Sequence, residues 1–250
     1  MSPATRPSRR SILGAAAALV LFALYGTVAD ALDFSSISQP RSLGPAALTL
    51  RSDRTYDFSG SLVRCAPNEG VGIMAEGHGS LTVANVTIEG CAVGILAMGS
   101  SVRIEHVTVR NVSGVCILLG GQGSLAIDNL ATGCTYGLVV LSNGNRVVQN
   151  QFNDNVADGV IVIGDENLIE GNEALRNGGV GIHVVRSVPM VGDDEFVSLI
   201  QDRATGNVIR ANRALRNKVD IEEFGDCAGP GLFNEWTQNV FETGRPECVH

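Results

Sequence analysis

The chain has 250 residues, enough for one domain with a sizeable core, and its 44% hydrophobic residues argue against intrinsic disorder. Its formal net charge of −8 at pH 7 disfavours nucleic acids and anionic lipids as partners. Lys218 is the only lysine, so the composition leaves little room for a catalytic lysine.

Residues 1–31 have the pattern of a signal peptide: basic residues, an apolar stretch, and Ala29-Asp30-Ala31 as a cleavage site. The run Ser8-Arg9-Arg10-Ser11-Ile12-Leu13 resembles a twin-arginine export signal, although an ordinary secretory signal with two arginines explains it too. We therefore expect export to the periplasm or the extracellular space. No later stretch reaches the roughly 18 apolar residues of a membrane span, so none is expected in the mature chain.

A repeat of about 22 residues begins near residue 70. Phrases such as Val93-Gly94-Ile95 and Val180-Gly181-Ile182 fall into register, and their last residues form an aliphatic column. The column is Ile73, Ile95, Cys116, Leu138, Val160, Ile182 and Ile221. Its last step holds one repeat plus an insertion over residues 187–205. Cys116 takes an aliphatic place, so we expect a buried free thiol there.

Asparagines recur with the same period and predict the corners of the coils. Asparagine tolerates turn conformations, and amides stacked one coil apart, about 4.8 Å, can form a hydrogen-bonded ladder. The ladder positions are Asn145, Asn150, Asn155, Asn167, Asn172, Asn177, Asn207, Asn212 and Asn217. The pattern lacks the leucine-rich-repeat line and the six-residue period of left-handed β-helices. It predicts an all-β, single-domain right-handed parallel β-helix of about seven coils over residues 70–226.

The line over residues 206–212 and the ending Asn234-Glu235-Trp236 resemble the repeats of the NosD-type and pectin-lyase-like superfamily. The resemblance covers about residues 70–248. It implies the fold and leaves activity open, because that superfamily includes lyases, hydrolases, epimerases and non-catalytic proteins. NosD-type proteins are linked to the maturation of copper centres, but no histidine pair here has ligand spacing, so no metal ligands are assigned.

The ends of a solenoid need caps, because its terminal strands would otherwise expose unpaired edges. We expect an N-terminal cap over residues 32–69 and a C-terminal cap over residues 227–250. In an exported chain cysteines are expected to pair. Cys227 and Cys248 are the predicted disulfide of the C-terminal cap. Cys65 and Cys91 could form another, and Cys134 is left unassigned.

An apolar stripe is predicted on the outer face, one residue after the aliphatic column. It consists of Met74, Leu96, Ile117, Val139 and Ile161, followed by His183 and Glu222. A stripe of this length needs a cover. We expect the N-terminal segment or the insertion to supply it, with a protein partner or a ligand groove as the alternatives.

The end of this stripe is the candidate active site. Asp220 and Glu222 flank inward Ile221, so we expect both carboxylates on one face, with His183 one coil before them. Arg186 and the pair Asp193 and Asp194 belong to the adjoining insertion. Together these residues could bind Ca²⁺ and abstract a proton from a uronic acid. The structural alternative is that acids in a terminal coil satisfy exposed backbone N–H groups.

Two functions therefore stay open, and the sequence favours the first. One is a non-catalytic exported β-helix that binds a glycan or a protein at the bacterial envelope, without a cofactor. The other is a polysaccharide lyase, epimerase or hydrolase, with calcium as the conceivable cofactor. The chain lacks the Asn-Thr-Asp, Gly-His-Gly and Arg-Ile-Lys lines of polygalacturonases. Maturation of a metal centre is a third, weaker alternative.

Overall fold

The computed structural model describes residues 46–51, 53–77, 79–185, 204–223 and 234–245. All of them belong to one compact unit, Ala46–His250. This part of the chain consists of strands, turns and loops, and it contains no helix that could cross a membrane. The predicted signal peptide, most of the 187–205 insertion, and Cys227 and Cys248 lie outside the described residues.

The strands form two long parallel sheets. Nine strands build the first sheet, in the order β1-β3-β5-β8-β11-β14-β17-β20-β22. They are β1 Ala46–Leu50, β3 Val71–Ala75, β5 Val93–Ala97, β8 Val115–Leu119, β11 Tyr136–Val140, β14 Val160–Val162, β17 Val180–Val184, β20 Val219–Glu223 and β22 Gly244–Arg245. Each strand pairs with the equivalent strand of the next coil, because the repeat returns the chain to the same place.

The other two sides of each coil form the second sheet, to which the edge strand β2, Thr55–Arg64, is also paired. Its strands are β4 Thr82–Glu89, β6 Arg103–Glu105, β7 Thr108–Arg110, β9 Leu125–Ile127, β10 Leu130–Thr132, β12 Arg146–Val148, β13 Gln151–Asn153, β15 Leu168–Glu170, β16 Glu173–Leu175, β18 Val208–Arg210, β19 Arg213–Leu215 and β21 Glu235–Thr237. The result is the predicted parallel β-solenoid, with about eight turns where about seven were expected. Its first strands, β1 and β2, lie in the segment expected to form the N-terminal cap.

The aliphatic column fills the interior, with one correction. Strand register pairs Ile95 with Ile117 and Ile117 with Leu138, so Ile117 belongs to the column and Cys116 does not. Cys116 instead has the position directly before the column residue, which we call the glycine place because glycine occupies it in most coils. It is equivalent to Gly94, and a Cβ added to Gly94 would lie 2.4 Å from the Cys116 carbonyl oxygen. The error arose because the coil between Ile117 and Leu138 is one residue shorter than its neighbours.

The predicted asparagines form three buried ladders. At each corner the backbone N–H of one coil donates to the Oδ1 of the asparagine one coil further on, as Asn150 does to Asn172 at 2.9 Å. The side-chain amides repeat the contact, with Nδ2 of Asn150 3.0 Å from the same oxygen. Ser124 and Asn129 begin two of the ladders. Corner N–H groups are thereby satisfied away from water.

The third corner couples asparagine to glycine, and this explains the disulfides. A Cβ added to Gly159 would lie 2.8 Å from Nδ2 of Asn177, and Gly137 and Gly181 face the asparagine of the next coil in the same way. Cys116 has this glycine place and Cys134 has the asparagine place of the next coil, since the Cys134 N–H donates to Asn155. They form a disulfide, so the expected free thiol at Cys116 is wrong.

A second disulfide joins Cys65 to Cys91. Both residues lie at this same corner, because the Cys65 N–H donates to the Glu89 carbonyl in the neighbouring strand. The corner is therefore closed by disulfides in the first coils and by asparagines in the later ones. Both devices serve one purpose, which is to hold successive turns of the chain at a fixed spacing.

The asparagine ladder of this corner ends on a carboxylate. Oδ1 of Asp220 accepts hydrogen bonds from N–H and Nδ2 of Asn217, both at 3.0 Å, and so stands where the next asparagine oxygen would be. Its Oδ2 accepts from the N–H groups of Glu242 and Thr243, at 2.9 and 3.0 Å. Asp220 is 1% exposed and has the glycine place of its coil, equivalent to Gly181.

Removing one rung should cost the solenoid measurable stability. Asn172→Ala deletes the acceptor of the Asn150 N–H and the donor to the Val147 carbonyl, both buried. We expect the free energy of unfolding to fall by about 3 kcal/mol in urea denaturation. The exposed amide Gln151 provides the matched control, and Gln151→Ala should cost less than about 0.5 kcal/mol. Equal losses in the two variants would mean that the ladder is not stabilising.

Asp220 should make the terminal coils acid-sensitive. Burial disfavours its charge, but the N–H donors of Asn217, Glu242 and Thr243 outweigh burial and hold its pKa below the ordinary 3.8. A lowered folded-state pKa adds stability above the unfolded pKa, and this stability is lost as pH falls through the folded value. We expect the free energy of unfolding to drop below about pH 4 and the drop to be shallower in Asp220→Asn. Glu69→Gln, at an exposed acid, should leave the profile unchanged; an unaltered slope in Asp220→Asn would contradict this account.

Candidate functional site

The outer face of the first sheet carries the predicted stripe, with the same one-residue correction. The side chains one place after the interior column are Met74, Leu96, Leu118, Val139 and Ile161, then His183 and Glu222. Leu118 replaces Ile117, because Ile117 points inward. The last four apolar members are at most 3% exposed, yet they are not part of the interior core. The two chain segments predicted to cover them lie outside the described residues, apart from Ala46–Arg51, Asp53–Glu69, Ala204 and Thr205.

Strand β17 places His183 where the stripe turns from apolar to polar. The imidazole Nδ1 lies 3.0 Å from Oδ2 of Asp158, and the Asp158 Oδ1 accepts a 2.7 Å hydrogen bond from the Val180 N–H. Asp158 is thus fixed by the backbone of the next coil and in turn fixes the imidazole. A carboxylate at Nδ1 selects the tautomer or charge state with a proton on that nitrogen.

The second ring nitrogen of His183, Nε2, is the one that lies near Glu222. Strands β17 and β20 pair His183 with Glu222, and Nε2 lies 4.0 Å from Oε2. This distance is too long for a direct hydrogen bond. Nε2 is itself buried and has no hydrogen-bond partner among the residues that the structure describes. The side chains of Asp158, His183 and Glu222 are 10%, 16% and 22% exposed, so the group is largely shielded from solvent.

Asp220 does not join this group, which corrects the expected pairing with Glu222. It projects into the corner of the coil, where its two oxygens accept four N–H hydrogen bonds. The alternation argument failed because Asp220, although it lies within strand β20, has the glycine place, which the regular pairing from Val180–Val219 to Ile182–Ile221 skips. The structural alternative considered for the terminal acids therefore describes Asp220.

The neighbouring Glu223 is also occupied. Its two oxygens accept from Nδ2 of Asn234 at 2.9 Å and from Nε1 of Trp236 at 2.6 Å. Glu222 lies between these two acids along the strand and accepts no hydrogen bond from the described residues. It is therefore the one carboxylate of this strand that is available to a ligand.

The remaining predicted residues, Arg186, Asp193 and Asp194, lie outside the described residues. Two residues that the sequence analysis missed lie at the site instead. Asp158 interrupts a column that holds Val115, Tyr136 and Val180 in neighbouring coils, and this exception was a usable signal. Arg245 pairs with Glu222 through strands β20 and β22, and it was missed because the aliphatic phrase of the repeat does not recur in the sequence of its segment.

The arrangement can transfer protons. A histidine held by one carboxylate and facing another can accept or donate a proton at Nε2, and Glu222 offers a second exchangeable position nearby. Within the described ranges no group of three or more histidine, cysteine or acidic side chains could hold a metal ion. At Nε2 the site therefore offers the His183 imidazole itself and the Glu222 carboxylate 4.0 Å away.

A search of curated proteins gave no significant match. Solved structures with similar folds include the A-modules of the Azotobacter vinelandii mannuronan C-5 epimerases AlgE6 and AlgE4. The first is 12% identical with a TM-score of 0.47, covering 81% of this chain and 74% of that one. The second is 12% identical with a TM-score of 0.44, covering 81% and 75%. A mutant of the periplasmic alginate epimerase AlgG is 16% identical with a TM-score of 0.48, covering 80% of this chain and 51% of that one.

Identities this low carry no information about the activity of this chain. The family described as "Right handed beta helix region" has a model that matches residues 48–196 and, in a second alignment, residues 93–242. These matches include nearly all of the strands described above, and they agree with the parallel solenoid and its predicted hand. The chain therefore belongs to the right-handed β-helix family.

Proposed function

We propose that this β-helix is an exported polysaccharide lyase or epimerase that acts on a polymer containing uronic acids, with His183 as its proton-transfer residue. The observation that carries the proposal is the buried Nε2 of His183, which has no hydrogen-bond partner among the described residues. The imidazole lies between Asp158, at Nδ1, and Glu222, on the side of Nε2. Leaving a buried polar atom without a partner costs about 1–3 kcal/mol. Such an atom in a native fold is explained when a ligand supplies the partner.

The three side chains take separate roles. Asp158 holds the Nδ1 proton and leaves Nε2 free to remove the proton from the carbon beside the sugar carboxylate. Glu222, one strand further, is the second proton-exchanging group, placed to assist the leaving oxygen or to return a proton. A lyase and an epimerase share the removal of this proton, and they differ in the second step: a lyase expels the leaving oxygen, whereas an epimerase returns a proton to the carbon.

Hydrolysis fits the geometry less well. Glycoside hydrolases use two carboxyl groups, one on each side of the scissile bond. Asp158 and Asp220 are occupied by backbone N–H groups and Glu223 by side chains, so among these described acids Glu222 alone is available. One free carboxylate beside an oriented histidine favours abstraction of a carbon-bound proton.

Two features support an extracytoplasmic location for this activity. The disulfides Cys65–Cys91 and Cys116–Cys134 both lie in the solenoid, and disulfides persist in oxidising compartments. The signal-like pattern of residues 1–31 agrees with export. Calcium, which the acidic insertion could bind, belongs in the assay as a variable, because it can bridge an acidic protein and an acidic polymer.

Exchange of the histidine should abolish turnover and leave the fold intact. His183→Gln keeps a similar volume and the contact with Asp158 but cannot serve as a base. We expect kcat to fall by about 10²- to 10⁴-fold on the polymer that the wild type turns over. Glu222→Gln should also reduce kcat. The assay follows the ultraviolet absorbance of unsaturated uronate for a lyase and the exchange of solvent deuterium into the polymer for an epimerase.

The matched control is His106→Gln, at an exposed histidine on another face of the solenoid that lies 3.9 Å from Asp128. It should keep wild-type kcat, and all variants should unfold at wild-type temperature. Full turnover in His183→Gln would refute the assignment. Retention of a polymer without turnover by the wild type would instead make the chain a non-catalytic glycan-binding protein.

A further inference from the structure

We propose that Arg245 is the residue that binds the substrate carboxylate at this site, and that Asp220 is the positioning residue that holds Arg245 in place. The proposal rests on the proposed function of His183. It concerns the segment 240–245, which returns to the first sheet as its last strand and which the repeat did not predict.

Strand register places Arg245 directly after the proton-transfer residues. Glu222 pairs with His183 on one side and with Arg245 on the other. Parallel strands repeat at about 4.8 Å, so the three side chains form one column that runs imidazole, carboxylate, guanidinium. Arg245 is exposed and makes no ion pair with any residue of the described ranges. By contrast, Arg210 and Arg213 in the preceding coil bind Glu170 and Glu173 at 2.9 and 3.0 Å.

The guanidinium suits the chemistry at this column. Removing a proton beside a carboxylate moves negative charge onto that carboxylate, and a cation placed there stabilises the charge as it develops. A guanidinium binds carboxylate with two parallel hydrogen bonds and so also fixes the orientation of the sugar. Arg245 is two strands from His183, about 9–10 Å, a span that one sugar unit with its carboxylate can bridge.

Asp220 holds the chain immediately before Arg245. Its Oδ2 accepts the N–H groups of Glu242 and Thr243, and its own N–H lies 2.8 Å from Oγ1 of Thr243. Strand β22 has only two residues, so it contributes few ladder hydrogen bonds of its own. The Asp220 carboxylate is in turn fixed by Asn217, the last asparagine of its ladder. The asparagine ladder is thus connected to the position of Arg245 through a single side chain.

The experiment compares KM and kcat on an acidic polyuronate and on the same polymer after methyl esterification, using the full exported chain. Arg245→Ala should raise KM on the acidic polymer about tenfold or more and leave KM on the esterified polymer within about twofold. Arg245→Lys should recover part of the loss. Arg213→Ala, at a paired arginine on another face, is the control and should behave as wild type.

Asp220→Asn should raise KM on the acidic polymer in the same direction, and the double variant with Arg245→Ala should be no worse than Arg245→Ala alone. A purely structural role for Asp220 predicts instead that the two losses multiply, and that outcome would overturn the positioning role. If Asp220→Asn fails to fold, Thr243→Val provides the milder test, because it removes only the hydroxyl contact with the Asp220 N–H.

The outcomes separate this proposal from the proposed function. A wild-type KM in Arg245→Ala, with normal turnover, overturns the role of Arg245 and leaves that of His183. If the wild type turns over none of the polymers, the proposed function fails, and retention on immobilised polyuronate then decides. Retention that Arg245→Ala reduces about tenfold supports the binding role, and equal retention, or none, overturns it.

Discussion

The asparagine ladders run in one direction, and this direction decides which groups must stand at their ends. Each corner N–H donates toward the C-terminus, from Asn155 to Asn177 and from Asn177 to Asn217. The acceptor for the corner N–H of each coil must therefore be supplied by the following coil. The last asparagine therefore has donors and no following amide oxygen, and a buried unpaired donor costs about 1–3 kcal/mol. A carboxylate solves this, because it accepts hydrogen bonds and brings no donor of its own. Asp220 and Glu223 are the carboxylates found there.

At this same corner the glycine place is filled by glycine, cysteine or aspartate in different coils. Where the next coil supplies an asparagine, as Asn177 does, the facing residue is glycine, since a Cβ would collide with the amide. Where the next coil supplies Cys134, the facing residue is Cys116 and a disulfide fills the space. In the last coil no asparagine follows, so the place can hold a larger side chain, and Asp220 uses it. The choice among glycine, cysteine and aspartate is thus set by the side chain that the following coil offers.

The sequence predicted the features that the period determines. Equivalent residues such as Ile95 and Ile182 recur because every coil buries the same place, so the interior column and the asparagine corners follow from spacing alone. The spacing argument failed at Cys116, where a coil of one residue fewer shifted the register, and the exchange with Ile117 carried into the outer stripe. It also failed at Asp220, because alternation along a strand does not hold at the glycine corner.

The candidate site was predictable only in part, for a related reason. His183 and Glu222 directly follow the aliphatic column and were among the predicted residues, whereas Asp158 departs from an apolar column and Arg245 lies in a segment without the aliphatic phrase. Glu222 and Arg245 are 23 residues apart, close to one repeat, but the residues between them do not keep the aliphatic phrase that identified the earlier strands, so the pair was not recognised from the sequence. A search for exceptions to a column, in addition to its members, would have found Asp158.

The position of the site at the end of the stack follows from the energetics of the outer stripe. Over its middle coils the stripe consists of buried side chains such as Leu118 and Val139, and an ionisable group there would lose its hydration without a partner. The terminal coils differ, because two of the three ladders end there on carboxylates, Asp220 and Glu223, and the segment 244–245 pairs with the first sheet. In the proposed site the histidine lies one coil before the last described strands, and strand pairing aligns it with Glu222 and, one strand further, with Arg245. The residues that end the solenoid would then also form the proposed site.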